Sequence, residues 1–513
     1  MATKKLTKKQ ALTLTAEQSA IKDALKTDSN IVVVARAGTG KSSTIESIAP
    51  RGSVILCFNK APADEMAARL GPGREASTFH RYGKAFIPKG SWMDKNNYGM
   101  KERIQDVAFR GQKPSGAVQY KLQSAIESSV SWLMTMGAKP DTSLEDAFLI
   151  LQDKEYGRLQ LEVPVDEVVE HALEVLRRCA ERTKGKFGTG FNYNFDMMLW
   201  LPYINGWGAG SVDDLFVDEA QDLNPLRMAL AKQWGKRVIA VGDDRQAIYA
   251  FNGSMSDSLS IFQKEMDAVS LPLTCCWRCP SSHLDMARAI VPDITNRPNC
   301  PEGSILNADV LNYEFPEEGV LIMSRTNAPL IRHFLRMRKE ISNQKVVFFA
   351  SENISRAMKS FIGWQMQSKF DSYWRAGFDI KMDKAIQYAT NPMAKAVMLD
   401  YRECIIELYD SNKFNTVKDV HDFLDEEFKK PDESASDPEY KTAIKLSSIH
   451  SSKGLEHNNT IIYGTGNLPH PMAKKEWERQ QESNLEYVAL TRSKNVMTLI
   501  PSASGELATE EVE

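Results

Sequence analysis

From Ile31 to Ile48 the chain reads IVVVARAGTGKSSTIESI, an apolar run ending in a small-residue loop, a lysine and two serines. The pattern predicts a buried strand at Ile31–Ala35, a loop at Arg36–Lys41 and a helix opening at Ser42. It fits G-x-x-x-x-G-K-[ST], with Ala35 where the first glycine usually stands. Gly38 and Gly40 let the backbone curl so that successive N–H groups face phosphate oxygens. The helix that follows adds unpaired N–H groups and the positive end of its dipole. Lys41 can then reach the β- and γ-phosphates, and Ser42 Oγ can ligate Mg²⁺. A plain glycine turn after a parallel strand would not need strand, loop, Gly-Lys-Ser and helix together. Ala37, Gly38, Thr39, Gly40, Lys41, Ser42 and Ser43 are therefore the expected phosphate-binding residues.

A phosphate loop needs a carboxylate partner, and Leu215–Val217 runs as a strand into Asp218-Glu219, within VDEAQD. Asp218 can hold the Mg²⁺ that Ser42 also ligates, while Glu219 can orient and deprotonate an attacking water. An isolated acidic strand-to-helix turn is common; this one is flanked by Val217, Ala220, Gln221 and Asp222.

These groups must be positioned by a strand-and-helix frame, and the chain has one. Short apolar strands are expected at Ser53–Phe58, Leu215–Val217 and Arg237–Val241, the last leading into Gly242-Asp243-Asp244. Helices are expected at Thr15–Ala24, with Thr15 as N-cap and Gln18 at its third position, and at Ala61–Leu70. Strands alternating with helices signal a parallel, doubly wound α/β sheet with ligands at the strands' carboxyl ends. Between 86 and 190 strands vanish, and Val165, Val168, Val169, Ala172, Leu173 and Leu176 recur at helical spacing, which marks a helical insertion closed by Gly185–Gly190. A second strand set (Val320–Ser324, Lys345–Phe349, Lys445–Ser448, Thr460–Tyr463, Val496–Ile500) implies a second α/β domain. Helices such as Val417–Lys429 and the linker PDESASDPEY interrupt it from 363 to 440.

The expected organisation is thus 1–85 with 191–270 as the first domain, 86–190 as its insertion, 271–362 with 441–505 as the second domain, 363–440 as a shorter insertion, and 506–513 as an acidic tail. Length 513, 42% hydrophobic and 26% charged content are ordinary for a globular protein of several domains. Net charge is −3, so any nucleic acid must be held in a local groove. The start, MATKKLTKKQ, lacks the apolar core of a secretory signal, and no apolar run is long enough to span a bilayer, so no membrane role is expected. Seven scattered cysteines favour a reducing, cytoplasmic setting. Cys276-x-x-Cys279, with His283 and Cys300 downstream, lacks the second pair that zinc sites usually show, and His450 alone at a strand end reads as structural.

In order along the chain, these motifs resemble those of superfamily 1 helicases of the UvrD/Rep type. That resemblance implies two RecA-like parallel-sheet domains in tandem, each interrupted by a mainly helical insertion. It implies that Gln18, in LTAEQ, reads the adenine edge, and that Phe58, Asn59, Lys60 and His80 contact DNA. It places Phe195, in NYNFDMML, against a base. In VGDDRQAIYAFNG, Gln246 would sense the γ-phosphate while Tyr249 and Phe251 meet bases. CWRCP implies adenine stacking by Trp277 and a γ-phosphate role for Arg278, and SRTN (Ser324–Asn327) has its counterpart. SIHSSKGLEH offers Glu456 to the ribose, LPHP offers His470 to the strand, and NLEYVALTRS supplies Arg492 as the second γ-phosphate arginine.

The implied activity is that of an ATP- and Mg²⁺-dependent motor moving 3′ to 5′ on single-stranded DNA and opening duplex at junctions. An alternative keeps the ATPase as a translocase subunit for a nuclease, repair or phage-defence partner, with little unwinding of its own. A P-loop enzyme of another class, such as a small-molecule kinase, would leave His470 and Arg492 unexplained. Departures from the family pattern are Asn252, where an arginine usually follows the aromatic, and the short second insertion. The stretch after Arg492 leaves no room for a fused nuclease domain.

Overall fold

The computed structural model describes residues 14–152, 164–181, 191–248, 258–350, 352–387, 389, 392–429 and 440–501. Ala16–Ala24 (α1) leads into Ile31–Ala35 (β1), Lys41–Ile48 (α2), Val54–Cys57 (β2), Lys60–Arg69 (α3), Glu75–Thr78 (β3) and Phe79–Lys84 (α4). Trp92–Met93 (β4) starts the helical excursion of Tyr98–Ala108 (α5), Gly116–Thr135 (α6), Leu144–Gln152 (α7) and Val165–Ala180 (α8), and Asn192–Tyr193 (β5) ends it. Because β4 and β5 pair in parallel, the excursion leaves and returns at one clip. Met197–Asn205 (α9), Val212–Asp218 (β6), Pro225–Trp234 (α10), Gly235–Gly242 (β7), Ser258–Glu265 (α11) and Val269–Leu273 (β8) follow.

The six long strands form one parallel sheet in the order β3-β2-β6-β7-β1-β8. β1 is apolar throughout because helices cover both faces of a sheet of this kind. One face shares its core with the helical insertion, where Val168, Val169, Ala172, Leu173 and Leu176 of α8 are buried. Thr15 caps α1 and Gln18 returns the bond to the Thr15 N–H, closing a capping box. The expected opening of α2 at Ser42 is corrected by one residue to Lys41, since Gly40 in the left-handed region is already its N-cap.

Cys275–Cys276 (β9), Ser281–Arg288 (α12) and Thr295–Asn296 (β10) link the domains, with β9 and β10 paired. The second sheet draws on Ser304–Asn307 (β11), Val320–Ser324 (β12) and, after Ala328–Glu340 (α13), Val346–Phe349 (β13). Glu352–Ile362 (α14), Ser372–Gln387 (α15), Pro392–Asp410 (α16) and Val417–Glu427 (α17) make the second insertion. Phe428–Lys429 (β14), Ile444–Ser448 (β15), His457–Tyr463 (β16), Glu476–Leu490 (α18) and Ser493–Ile500 (β17) complete a parallel sheet ordered β11-β17-β16-β12-β15-β13-β14. The helix expected over Val417–Lys429 stops at Glu427, because Phe428 and Lys429 pair with Phe348 and Phe349 at the sheet edge. The second insertion shares one core with this sheet: Phe334 and Phe348 are buried together with Cys404, Leu408 and Leu424. The Asp400 carboxylate of α16 also accepts the backbone N–H groups of Asn327 and Ala328, tying the insertion to the start of α13.

Candidate active site

The phosphate loop joins β1 to α2 at the carboxyl edge of the first sheet. Gly38 has φ 68°, and a Cβ there would fall 2.7 Å from Arg278 Cβ and 2.9 Å from Cys276 Sγ, so the loop can approach β9 only as glycine. Ala37 and Thr39 are buried, and Thr39 Oγ1 donates to Arg36 O at 2.8 Å. Lys41 Nζ lies 3.1 Å from Glu219 Oε2, and Ser42 Oγ donates to Asp218 Oδ2 at 3.4 Å. Ser43 points outward. Strand β6 thus delivers both carboxylates to the two loop residues expected to need them.

The electrostatics separate their roles. Burial together with the charge of Glu219 pushes the Asp218 carboxyl upward. Burial also acts on Glu219, but Lys41 and Lys453 outweigh it and hold that carboxyl low. Lys41 is likewise held charged, since Glu219, Asp243 and Asp218 overcome its burial. Glu219 sits at φ 54°, an uncommon left-handed conformation for a side-chain-bearing residue. It accepts from Gln221 Nε2 at 2.5 Å, so its carboxylate is oriented as well as ionised.

The facing wall comes from the second domain. Arg492, 1% exposed, donates to Val488 O at 2.9 Å, Leu455 O at 3.3 Å and Gln246 Oε1 at 3.4 Å. Among the described residues no carboxylate pairs with it; burial and neighbouring Arg278 bring its guanidinium down to about 10, still charged at neutral pH. Gln246 in turn donates to Asp243 Oδ2 at 2.6 Å. Arg278 Nε donates to Glu456 Oε2 at 2.6 Å, and Lys494 Nζ reaches the other oxygen of Glu456 at 2.5 Å. Trp277 is 43% exposed and donates its N–H to Gly38 O at 2.8 Å. Gln18 spends its amide on Thr15 N and on Thr44 Oγ1 of α2, 2.9 Å away, which places it beside the loop.

On the first domain's upper face His80 and Phe195 stack on one another at 3.8 Å and 18°, with Phe195 53% exposed. Burial and the charge of Arg227 push the His80 imidazole down to about 3, so it is neutral. Phe58 is half-buried at the end of β2, and Asn59 and Lys60 are exposed at the start of α3. His470 stands apart in the second domain, its N–H donating to Glu482 Oε2 at 2.9 Å. Tyr249, Phe251 and Asn252, like Gly185–Gly190, lie outside the described residues. Cys279 N–H donates to Cys276 Sγ and His283 meets Ser304 O; among the described residues no group of three or more His, Cys, Asp or Glu side chains could hold a metal ion. His450, pushed down to about 3 by burial and Arg325, is a neutral imidazole.

Two family models match the chain: an AAA domain over residues 17–252, and a UvrD-like helicase C-terminal domain over residues 327–504. F-box DNA helicase 1 of Gallus gallus is 23% identical over 502 residues, covering 93% of this chain and 48% of that protein. DNA helicase IV of Escherichia coli (strain K12) is 21% identical over 359 residues, 58% of this chain and 52% of that protein. DNA helicase II of the same strain is 23% identical over 298 residues, 52% and 39%. The chain thus resembles the UvrD-like helicases: residues 327–504 match their C-terminal domain, and an AAA domain precedes it. The chain spans about half the length of the curated relatives it matches.

Two cross-domain contacts at this cleft have no signal in the sequence. Lys453 Nζ of the second domain binds Asp222 Oδ2 at 2.6 Å and Gln246 O at 2.8 Å. Tyr487 Oη accepts the phosphate-loop N–H of Ala37 at 2.8 Å, inside a buried seam with Cys276 and Leu284. Both residues sit within motifs already singled out, SIHSSKGLEH and NLEYVALTRS, but a single sequence carries no signal of which partner each would meet. Arg36 was also overlooked: it forms a two-pronged ion pair with Asp293 at 2.8 Å and reaches Asp243 and Asp244.

Proposed function

We propose that this chain is an ATP-dependent single-stranded DNA translocase and 3′–5′ DNA helicase, which couples hydrolysis in the interdomain cleft to steps along the strand. The observation that carries the reading is Arg492: a wholly buried cation from one domain, unpaired with any carboxylate among the described residues, hydrogen-bonded to Gln246 of the other. A guanidinium held this way favours negative charge building on the γ-phosphoryl group, and it does so only when the two domains meet.

The residues fit nucleotide and metal together. The loop supplies N–H groups and Lys41 to the phosphates, and the neighbouring Ser42 hydroxyl and Asp218 carboxylate would hold Mg²⁺, which when bound neutralises phosphate charge. Glu219, ionised and oriented by Gln221, takes the proton of the attacking water. Arg278 joins Arg492 at the γ-phosphate, Trp277 and Gln18 flank the base, and Glu456 faces the ribose. Phe58, Asn59, Lys60, His80, Phe195, Tyr249, Phe251 and His470 grip the strand, where stacking contributes about 1–3 kcal/mol per base without sequence preference. The domain limits expected from sequence go with this reading, as does a cytoplasmic setting, since all seven cysteines are free thiols. No helix among the described residues is long and apolar enough to cross a membrane.

The test is ATP turnover measured side by side with no polymer, single-stranded DNA, single-stranded RNA and duplex, followed by unwinding of 3′-tailed and 5′-tailed duplexes. Stimulation by single-stranded DNA and opening of the 3′-tailed duplex are expected; turnover indifferent to polymer would overturn the reading. One observation favours a subunit that translocates with little unwinding, serving a nuclease, repair or defence partner: the second insertion is short and is packed into the core of its own sheet, to which Asp400 also ties it. That reading expects DNA-stimulated turnover with no strand separation by the protein alone.

A further inference from the structure

On the upper face of the first domain, α10 presents Arg227 beside the ends of β2 and β3. Its guanidinium carbon lies 4.4 Å from the Phe58 ring centre and 6.0 Å from that of Phe79. No carboxylate pairs with it among the described residues, and its Nε is shielded from solvent with no acceptor. The residue as a whole is only partly buried. The nearest acid acting on it is Asp222, whose carboxylate is already bonded to Lys453.

A cation stacked on an aromatic face keeps its N–H edge free and in plane, the geometry that meets a phosphate with two parallel hydrogen bonds. We propose that Arg227 is a phosphodiester-binding residue, holding the backbone of a single strand beside Phe58 and the His80–Phe195 stack. The proposal rests on the strand-binding reading above and adds to it a cation without a carboxylate in contact among the described residues, whereas His80 is neutral and Arg81 is paired with Asp64. Burial draws the Arg227 guanidinium down only to about 10, so it is protonated at neutral pH, with Asp222 acting on it through space and no carboxylate in contact among the described residues. The Phe58 ring lies against the guanidinium, which limits the side-chain freedom left to lose when the strand binds.

The experiment is fluorescence anisotropy of labelled oligo-dT and of a mixed-sequence single strand, titrated through a salt series. Wild type, Arg227→Met, Arg227→Lys and the distant exposed Arg336→Gln are compared, with thermal unfolding run on each. Arg227→Met keeps an apolar stem on the Phe58 ring and removes the charge. It is expected to bind both strands several-fold more weakly, and the slope of log K against log salt should fall by about 0.7, the loss of one phosphate contact. Arg227→Lys should restore the slope, and Arg336→Gln should leave it alone. An unchanged slope in Arg227→Met, even with weakened affinity, would show a packing or base contact and overturn the assignment. Absence of salt-dependent strand binding by the wild type would instead sink the strand reading, and this assignment with it.

Discussion

The two walls of the cleft hold their positive charge in opposite ways. On the first, Lys41 lies among three carboxylates of its own domain: it is paired with Glu219, and Asp243 and Asp218 act on it through space. On the second, Arg492 is buried deeper and meets only carbonyl, hydroxyl and amide oxygens. The first wall holds its cation by anions of its own fold, with Lys453 of the second domain adding to the charge around Glu219. The second carries a charge with no carboxylate in contact among the described residues, and in the proposed function its partner is the phosphate charge that builds in the closed cleft.

Substitutions can break this contrast in graded steps. Lys41→Ala removes the only lysine of the loop and leaves Asp218, Glu219 and Asp243 facing one another; ATP turnover should fall by at least about a thousandfold, checked by phosphate release. Glu219→Gln keeps the shape and loses the base, so turnover should drop by about a hundredfold or more while nucleotide and strand binding persist. Full-rate turnover there would remove Glu219 from the chemistry. Tyr487→Phe leaves the Ala37 N–H without its acceptor, at a cost of about 1–3 kcal/mol to the closed seam. The expected sign is a lower kcat at saturating strand with an almost unchanged thermal midpoint. Asp400→Ala lies outside the cleft and should sharpen the contrast from the other side: loss of the cap on α13 should cost about 1 kcal/mol, seen as a midpoint a few degrees lower, with turnover retained.

Much of this architecture was legible because buried parallel strands are unbroken apolar runs, as in IVVVA and VLIMS, which stand out without any knowledge of neighbours. Edge strands do not. β3 reads EAST, short and polar, and β8 reads VSLPL, proline-bearing and largely exposed, so neither stands out as an apolar run, and with β8 the first sheet runs to Leu273. The same divide holds in the site. Lys41, Ser42, Asp218 and Glu219 follow from local spacing and the chemistry of phosphate. The pairing of Lys453 with Asp222, or of Tyr487 with the loop N–H, depends on two domains meeting across more than two hundred residues of chain. Arg227 was hidden for another reason: it lies in a helix of unremarkable composition, and only the fold reveals that its charge lies against a ring with no carboxylate in contact among the described residues.

The most direct test is to measure nucleotide affinity and hydrolysis together on Arg492→Ala, with saturating single-stranded DNA present. A cation reserved for the transition state predicts affinity within a few-fold of wild type and turnover reduced by about 10³-fold or more. Equal loss of affinity and turnover, with a lowered thermal midpoint, would mean that Arg492 only props up the loops around Leu455 and Val488, and would contradict a cleft that works by bringing its two walls together.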